Sequence, residues 1–225
     1  MGRFVKDNAL GLFFFVLFVA ALLGQSVAGF LKTNEELAQH GQPLESYLGF
    51  VFSSDFVVDV AENWQSEFLQ FLLFIVATIW LVQRGSPESK KPGDEGVGTD
   101  EEQKVGRHAP ENAPAWAKAS GWRRVVYENS LVLVMGGIFV LSWLVQSFAG
   151  TVVMNEENAE HGQPPVTWLE YLGSPDFWDR TLQNWQSEFL AVGTMVAFSI
   201  FLRQRASAES KPVGVAHAVS SEESD

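Results

Sequence analysis

Four apolar runs, separated by strongly polar stretches, dominate the pattern of the chain. The first and third, at about 9–31 and 131–154, each reach the roughly 20 residues that a helix needs to cross a bilayer core. The second and fourth runs are shorter. Each reaches that length only if its helix includes the preceding NWQSE block, which gives spans at about 63–83 and 184–203. The pattern therefore predicts an all-α membrane protein with four transmembrane helices.

The chain also repeats itself. Residues 3–90 align with residues 124–211 without a gap, and 39 of the 88 aligned positions are identical. Both copies contain the blocks NWQSEFL, HGQP and QR-x-S-x-ESK. Each copy holds an even number of predicted spans, so both insert the same way up. This predicts two tandem, parallel-repeat hairpins.

The repeat sets the predicted domain organisation. Residues 1–84 form the first helical hairpin and residues 122–206 the second. Residues 85–121 are rich in Pro, Gly and charged residues, which is typical of a disordered linker, and they end in a Trp- and Arg-containing interfacial segment. Residues 207–225 are predicted to be a disordered tail.

Helix-end signals place parts of the helices outside the membrane. Gly41 and Gly162 each follow a helical stretch as a C-terminal cap would, so we expect the first and third spanning helices to extend beyond the outer membrane face. Ser174-Pro175-Asp176 has the residue types of a helix start, and Ser53-Ser54-Asp55 is its equivalent. We expect each hairpin to turn near Tyr47 and Trp168.

Charge determines the predicted orientation. The chain has 15 Lys and Arg, 27 Asp and Glu and a net charge of −12. All the basic residues except Lys32 and Arg180 fall in the N-terminus, the linker and the tail. This positive-inside pattern predicts a multi-pass protein with both termini cytoplasmic and an acidic outer face. A cleaved signal peptide at the first run is disfavoured because the equivalent third run lies in mid-chain.

The composition narrows the functional classes. The acidic balance argues against a nucleic-acid partner. The absence of cysteine excludes disulfides, thiolate metal sites and cysteine nucleophiles. No motif indicates catalysis, so an enzyme is the less favoured reading and no cofactor is expected.

Several polar side chains are predicted to lie at the same depth in the membrane. Gln25 and Glu67 each lie 17 residues from a polar inner boundary, and Gln146 and Glu188 repeat this arrangement. The predicted polar cluster consists of Gln25, Glu67, Gln146, Glu188, Asn63 and Asn184. Acids within a membrane are candidates for a proton or cation site. The alternative is that the two glutamates are interfacial and only lock the helices together through the glutamines.

A second hypothesis concerns the outer helix ends. His40 with Glu36, and His161 with Glu157, could hold a divalent metal. Solvated helix ends explain the same spacing, because a histidine is favoured near a helix C-terminus.

The blocks N-W-[QE]-S-E-F-L and N-E-E-x-x-x-H-G carry a resemblance. With them the sequence resembles a family of uncharacterised bacterial integral membrane proteins, classed as a domain of unknown function and frequent in actinobacteria. The resemblance covers both repeats and implies a location in the bacterial plasma (inner) membrane. It supplies no catalytic residues.

Three functions follow as alternatives. The first is a non-enzymatic structural or interaction module, partnered by the lipid bilayer and by a second copy or another membrane protein. The second is a small transporter or channel that uses the Gln/Glu cluster. The third is a metal-dependent or redox membrane subunit.

Overall fold

The structure is a computed structural model that describes residues 2–220. Met1 and residues 221–225, the end of the predicted tail, lie outside the described part. Residues 2–220 form helices and turns and contain no strand, which confirms the all-α class. Eight α-helices follow one another along the chain: α1 Arg3–Asp7, α2 Ala9–Gln39, α3 Tyr47–Val51, α4 Ser54–Trp80, α5 Trp122–Glu128, α6 Ser130–Glu160, α7 Trp168–Leu172 and α8 Pro175–Phe201.

The repeat is visible in the helices themselves. α2 and α6 both have 31 residues, and α4 and α8 both have 27. A short helix precedes each 31-residue helix, and an asparagine lies at each junction. Asn8 Nδ2 donates to the Phe4 carbonyl oxygen at 2.8 Å, and Asn129 Nδ2 donates to the Val125 carbonyl oxygen at the same distance.

The predicted helix ends are confirmed where local signals were present. Gly41 and Gly162 have positive φ angles of 67° and 66° and follow α2 and α6. Gly41 N–H bonds the Ala38 carbonyl and Gln42 N–H bonds the Leu37 carbonyl, which is the Schellman pattern of a helix C-terminus. At the start of α8, Ser174 Oγ accepts a hydrogen bond from the Phe177 N–H at 3.2 Å.

The four-span prediction is met only in part. Within the described chain, α2 and α6 are the two helices that are long and apolar enough to cross a membrane. α4 and α8 are long but carry the polar NWQSE block in mid-helix, and they end at Trp80 and Phe201 rather than at residues 83 and 203. Their apolar portions are therefore too short to qualify by composition alone.

The chain divides into two compact units. The first contains Met1–Ala61 and Val145–Leu172, and the second contains Glu62–Leu144 and Gly173–Asp225. Both units draw on both repeats. In the first unit, Val58 of α4 packs with Ala149 and Val153 of α6 in a small apolar core.

Candidate functional site

The predicted polar cluster is distributed over both units. Gln25 and Gln146 belong to the first unit, whereas Glu67, Glu188, Asn63 and Asn184 belong to the second. Within the second unit, Glu67 of α4 and Glu188 of α8 are close enough for their carboxylates to interact electrostatically. These glutamates occupy equivalent positions in the two copies. The structure therefore brings together one acid from each repeat.

The two asparagines of the predicted cluster take part in hydrogen bonds within their own helices. Asn184 Nδ2 donates to the Arg180 carbonyl oxygen of its own helix at 3.0 Å. The Asn63 carbonyl oxygen accepts a hydrogen bond from Ser66 Oγ at 2.9 Å. Asn184 therefore stabilises its own helix by a local bond.

Two polar contacts between α4 and α8 were not predicted. Trp185 Nε1 donates to Gln65 Oε1 at 2.8 Å, and Gln65 is completely buried. Arg180 Nη1 lies 3.4 Å from Glu62 Oε2, and Arg180 Nε lies 3.4 Å from Asp176 Oδ2. Gln65 and Trp185, each from the NWQSE block of its own copy, therefore connect the two repeats. Their position in a polar block did not predict this contact.

The two glutamines of the first unit have different environments. Gln25 is exposed, whereas Gln146 is completely buried. Neither Nε2 nor Oε1 of Gln146 has a hydrogen-bond partner among the described residues. The sequence repeat predicted equivalent roles for these residues, but their exposure differs.

In each hairpin, an aromatic ring from the short helix packs against a glycine of the long helix. A Cβ added at Gly29 would lie 2.6 Å from Phe50 Cζ, and one added at Gly150 would lie 2.2 Å from Tyr171 Oη. Each glycine makes room for a ring from the short helix, α3 or α7, of its own hairpin.

A serine one turn earlier adds a polar contact in each copy. The Ser26 and Tyr47 hydroxyl oxygens are 2.7 Å apart. At the equivalent positions, Trp168 Nε1 donates to Ser147 Oγ at 3.0 Å. The aromatic residue at the predicted turn is therefore tied to the long helix in both hairpins.

An asparagine clamps the loop of each hairpin. Asn34 Nδ2 donates to the Glu45 carbonyl oxygen at 3.1 Å, and Asn34 Oδ1 accepts from the Glu45 N–H at 2.8 Å. Asn155 makes the same pair of bonds to Val166, at 3.0 and 2.7 Å. The block N-E-E-x-x-x-H-G therefore includes a structural clamp in its first residue, which sequence reasoning did not identify.

The proposed metal ligands lie at the ends of α2 and α6. His40 Nδ1 is 2.8 Å from the Glu36 carbonyl oxygen, and His161 Nδ1 is 2.8 Å from the Glu157 carbonyl oxygen. Because a carbonyl only accepts, each Nδ1 carries the proton in this bond. The described residues contain no group of three or more His, Cys, Asp or Glu side chains that could hold a metal ion. The metal hypothesis stays a prediction.

A carboxyl group with a raised pKa lies at the acidic end of α6. Partial burial raises the pKa of Glu156, and the negative charges of Asp55, Glu160 and Glu45 raise it further. These residues come from both copies and lie in the first unit. Negative charge therefore accumulates at this end of the unit.

The repeated QR-x-S-x-ESK block forms the same turn after α4 and after α8. Gln83 N–H donates to Ser89 Oγ at 2.7 Å, and Gln204 N–H donates to Ser210 Oγ at 2.9 Å. The lysine of each block then donates to a carbonyl six residues later: Lys90 to Gly96 at 2.5 Å and Lys211 to His217 at 2.9 Å. The linker and the tail thus begin with a shared, hydrogen-bonded motif.

The glutamates of these two blocks meet in the second unit. Burial raises the pKa of Glu88, and both repulsion by Glu209 and a hydrogen bond with the Glu209 side chain raise it further. Glu88 and Glu209 are equivalent residues of the two repeats. Two equivalent glutamate pairs, this one and Glu67 with Glu188, therefore occur in the same unit.

The chain matches a family described as a domain of unknown function (DUF6766) over residues 1–222. It has no match among curated proteins and none among solved structures.

Proposed function

The chain belongs to the DUF6766 family, and from that premise we propose that it is a four-span protein of the bacterial plasma membrane, with both termini cytoplasmic. In this proposal it acts as a structural or interaction module rather than as an enzyme. The clamped hairpin ends form an acidic outer face that contacts a partner.

The observation that carries the membrane assignment is the exposure of α2 and α6. In the most apolar 18-residue window of each helix, only 6% and 17% of the residues are buried inside the protein. Phe13 and Phe15, for example, are 58% and 61% exposed. The core helix of a soluble protein would bury these side chains, whereas a lipid-facing helix leaves them on the surface.

The other two proposed spans are α4 and α8. A helix of 27 residues is about 40 Å long, which exceeds the roughly 30 Å of the hydrocarbon core. In α4, part of the polar block is turned toward protein: Gln65 is completely buried and Ser66 is 2% exposed, whereas Asn63 and Glu67 are exposed. A polar block that is hydrogen-bonded inside a bundle can lie at membrane depth at modest cost.

The hairpin ends support the proposed interaction role. The asparagine clamps and the glycine–ring contacts recur in both copies, so each hairpin presents an ordered outer end. Acidic residues cluster there, as around Glu156. An ordered surface of one charge favours a partner of the opposite charge.

Because the chain contains no cysteine, single introduced cysteines can test the topology. We would label Gln42→Cys, Gln163→Cys and Ala208→Cys with a membrane-impermeant maleimide in intact cells. The proposal expects labelling at the first two positions and labelling of Ala208→Cys only after permeabilisation. Labelling of Ala208→Cys in intact cells, or opposite results for the two loop positions, would contradict it.

The interaction role needs a separate test. Mild crosslinking in intact cells, followed by purification of the full chain, should give a dimer or a defined adduct. A clean monomer would argue against the module while leaving the topology untouched.

A second candidate function is proton or cation transport. It is favoured by the interaction of the Glu67 and Glu188 carboxylates, one from each repeat. The double variant Glu67→Gln/Glu188→Gln should abolish proton or cation flux in proteoliposomes, with Glu157→Gln as a control at the outer end. Equal flux through the wild type and the double variant would remove this candidate.

A further inference from the structure

One face of α8 carries three residues at four-residue spacing, Phe177, Thr181 and Trp185. Trp143 of α6 lies against this face, with ring centroids 5.8 Å from Phe177 and 6.3 Å from Trp185. Thr181 lies one turn from each of these rings, so its side chain faces Trp143 as well. All four residues belong to the second unit.

Gln65 of α4 joins this group. Its Oε1 accepts the hydrogen bond from Trp185 Nε1 at 2.8 Å. Its Nε2 belongs to the same amide and therefore lies near the same ring. Helices α4, α6 and α8 thus contribute polar side chains to one place.

Three polar atoms in this group have no partner among residues 2–220: Gln65 Nε2, Trp143 Nε1 and Thr181 Oγ1. Gln65 and Thr181 are completely buried. A buried polar atom left without a hydrogen bond destabilises the folded protein, so three of them together are unfavourable. Two of the three are obligate donors, and the hydroxyl can donate or accept.

We propose that Gln65, Trp143 and Thr181 bind one internal water molecule. The water oxygen accepts hydrogen bonds from Trp143 Nε1 and Gln65 Nε2, and one of its hydrogens is donated to Thr181 Oγ1. Three hydrogen bonds are typical of a buried water in a protein. The two donors disfavour a cation. The acids Glu67 and Glu188, close to Gln65 and Trp185 in sequence, disfavour an anion.

The site belongs to one copy of the repeat only. The positions equivalent to Trp143 and Thr181 in the first copy are occupied by Leu22 and Val60, which have no polar side-chain atoms. The first copy therefore has no counterpart of this water site. The site links three helices, which is a property beyond the topology and partner binding proposed above.

The test detects the water at the indole N–H of Trp143. Full-length protein labelled with ¹⁵N-tryptophan is prepared in detergent micelles, and Trp143→Phe identifies the Trp143 signal. A rotating-frame cross-peak between this N–H and water, with the sign of dipolar transfer rather than chemical exchange, is expected in the wild type. Absence of that cross-peak would overturn the proposal.

A matched pair of variants tests the ligand set. Thr181→Val removes the hydroxyl and installs the residue that the first copy carries at this position, so the water cross-peak should be lost. Thr78→Val removes a hydroxyl that donates to the Ile75 carbonyl oxygen of its own helix at 3.0 Å, and it should keep the cross-peak. A cross-peak that persists unchanged in Thr181→Val would exclude Thr181 as a ligand and contradict the site as proposed.

Discussion

Asn155 holds Val166 by both of its backbone polar groups. Asn155 Nδ2 donates to the carbonyl oxygen of Val166 at 3.0 Å, and Asn155 Oδ1 accepts from its N–H at 2.7 Å. An amide side chain is suited to this role because it carries a donor and an acceptor side by side. The loop after α6 is thereby fixed to the helix eleven residues earlier.

The first prediction concerns this clamp. Asn155→Ala removes two partly buried hydrogen bonds, each worth about 0.5–1.5 kcal/mol, so we expect a loss of roughly 1–3 kcal/mol in the free energy of unfolding. Asn155→Asp should cost nearly as much, because a carboxylate cannot donate to the Val166 carbonyl. Thermal or denaturant unfolding in mild detergent, followed by circular dichroism, would measure both.

Asn158→Ala is the matched control for the clamp. Asn158 lies on the same helix and makes one long, exposed bond of 3.4 Å to the Pro164 carbonyl oxygen. Its replacement should change the free energy of unfolding by less than about 0.5 kcal/mol. Equal losses in Asn158→Ala and Asn155→Ala would show that the clamp contributes little.

The second prediction concerns two glycines of α6. Gly150→Ala would place a methyl group 2.2 Å from Tyr171 Oη, and Tyr171 is completely buried, so its ring has no room to move aside. We expect a destabilisation of about 1–3 kcal/mol, the usual cost of overpacking. At Gly137 an added Cβ meets nothing within 4 Å, so Gly137→Ala should be neutral or stabilising by up to about 1 kcal/mol.

The same unfolding measurement would compare the two alanine variants. The first copy supplies an independent pair, Gly29→Ala against Gly24→Ala, because only Gly29 lies beneath a ring, that of Phe50. A destabilisation by Gly137→Ala as large as that by Gly150→Ala would mean that the cost arises from the helix and not from the ring contact.

Sequence reasoning succeeded where structure is determined locally. The glycine caps after α2 and α6 and the serine cap of α8 were predicted, because each depends on residues within one helical turn. The repeat found in the sequence is likewise reflected in the matching contacts of the two hairpins. The Asn155 clamp was missed because its partner is a backbone group eleven residues away, and asparagine in an acidic helix end is ordinarily solvated.

The polar cluster shows what depth along a helix leaves open. Level positions along helices placed Gln25 and Gln146 together with the two glutamates, but depth does not specify which way a side chain points. Gln25 is exposed and Gln146 is buried, although they are equivalent in sequence. Glu67 and Glu188 were placed in one cluster because they lie at equivalent depths in the two repeats, and their carboxylates interact electrostatically in the structure.

The third prediction is a pH dependence at Glu156. Its pKa in the folded protein is raised, mainly by partial burial and then by Asp55, Glu160 and Glu45. A carboxyl group with a raised pKa favours folding while it is protonated, and this contribution is lost as the pH rises through the folded pKa. Glu156→Gln should therefore raise the melting temperature at pH 7.5.

The gain from Glu156→Gln should shrink as the pH falls toward about 4, because the wild-type carboxyl group is then protonated as well. Glu157→Gln removes the same formal charge from the neighbouring position and should raise the melting temperature less. A gain for Glu156→Gln that is constant between pH 4 and pH 8 would show that the effect does not arise from ionisation.

The fourth prediction concerns the coupling of Glu88 and Glu209. Burial and the neighbouring Glu209 raise the pKa of Glu88, so the two carboxylates destabilise each other at neutral pH. Glu88→Gln and Glu209→Gln should each increase stability at pH 7.5, and the double variant should add little to either, because one substitution already removes the repulsion.

A double-mutant cycle on the melting temperature measures this coupling, with Glu111→Gln as an exposed control in the same linker. Full additivity of the two substitutions would show that Glu88 and Glu209 do not interact, and the contact between the linker and the tail would then need another origin.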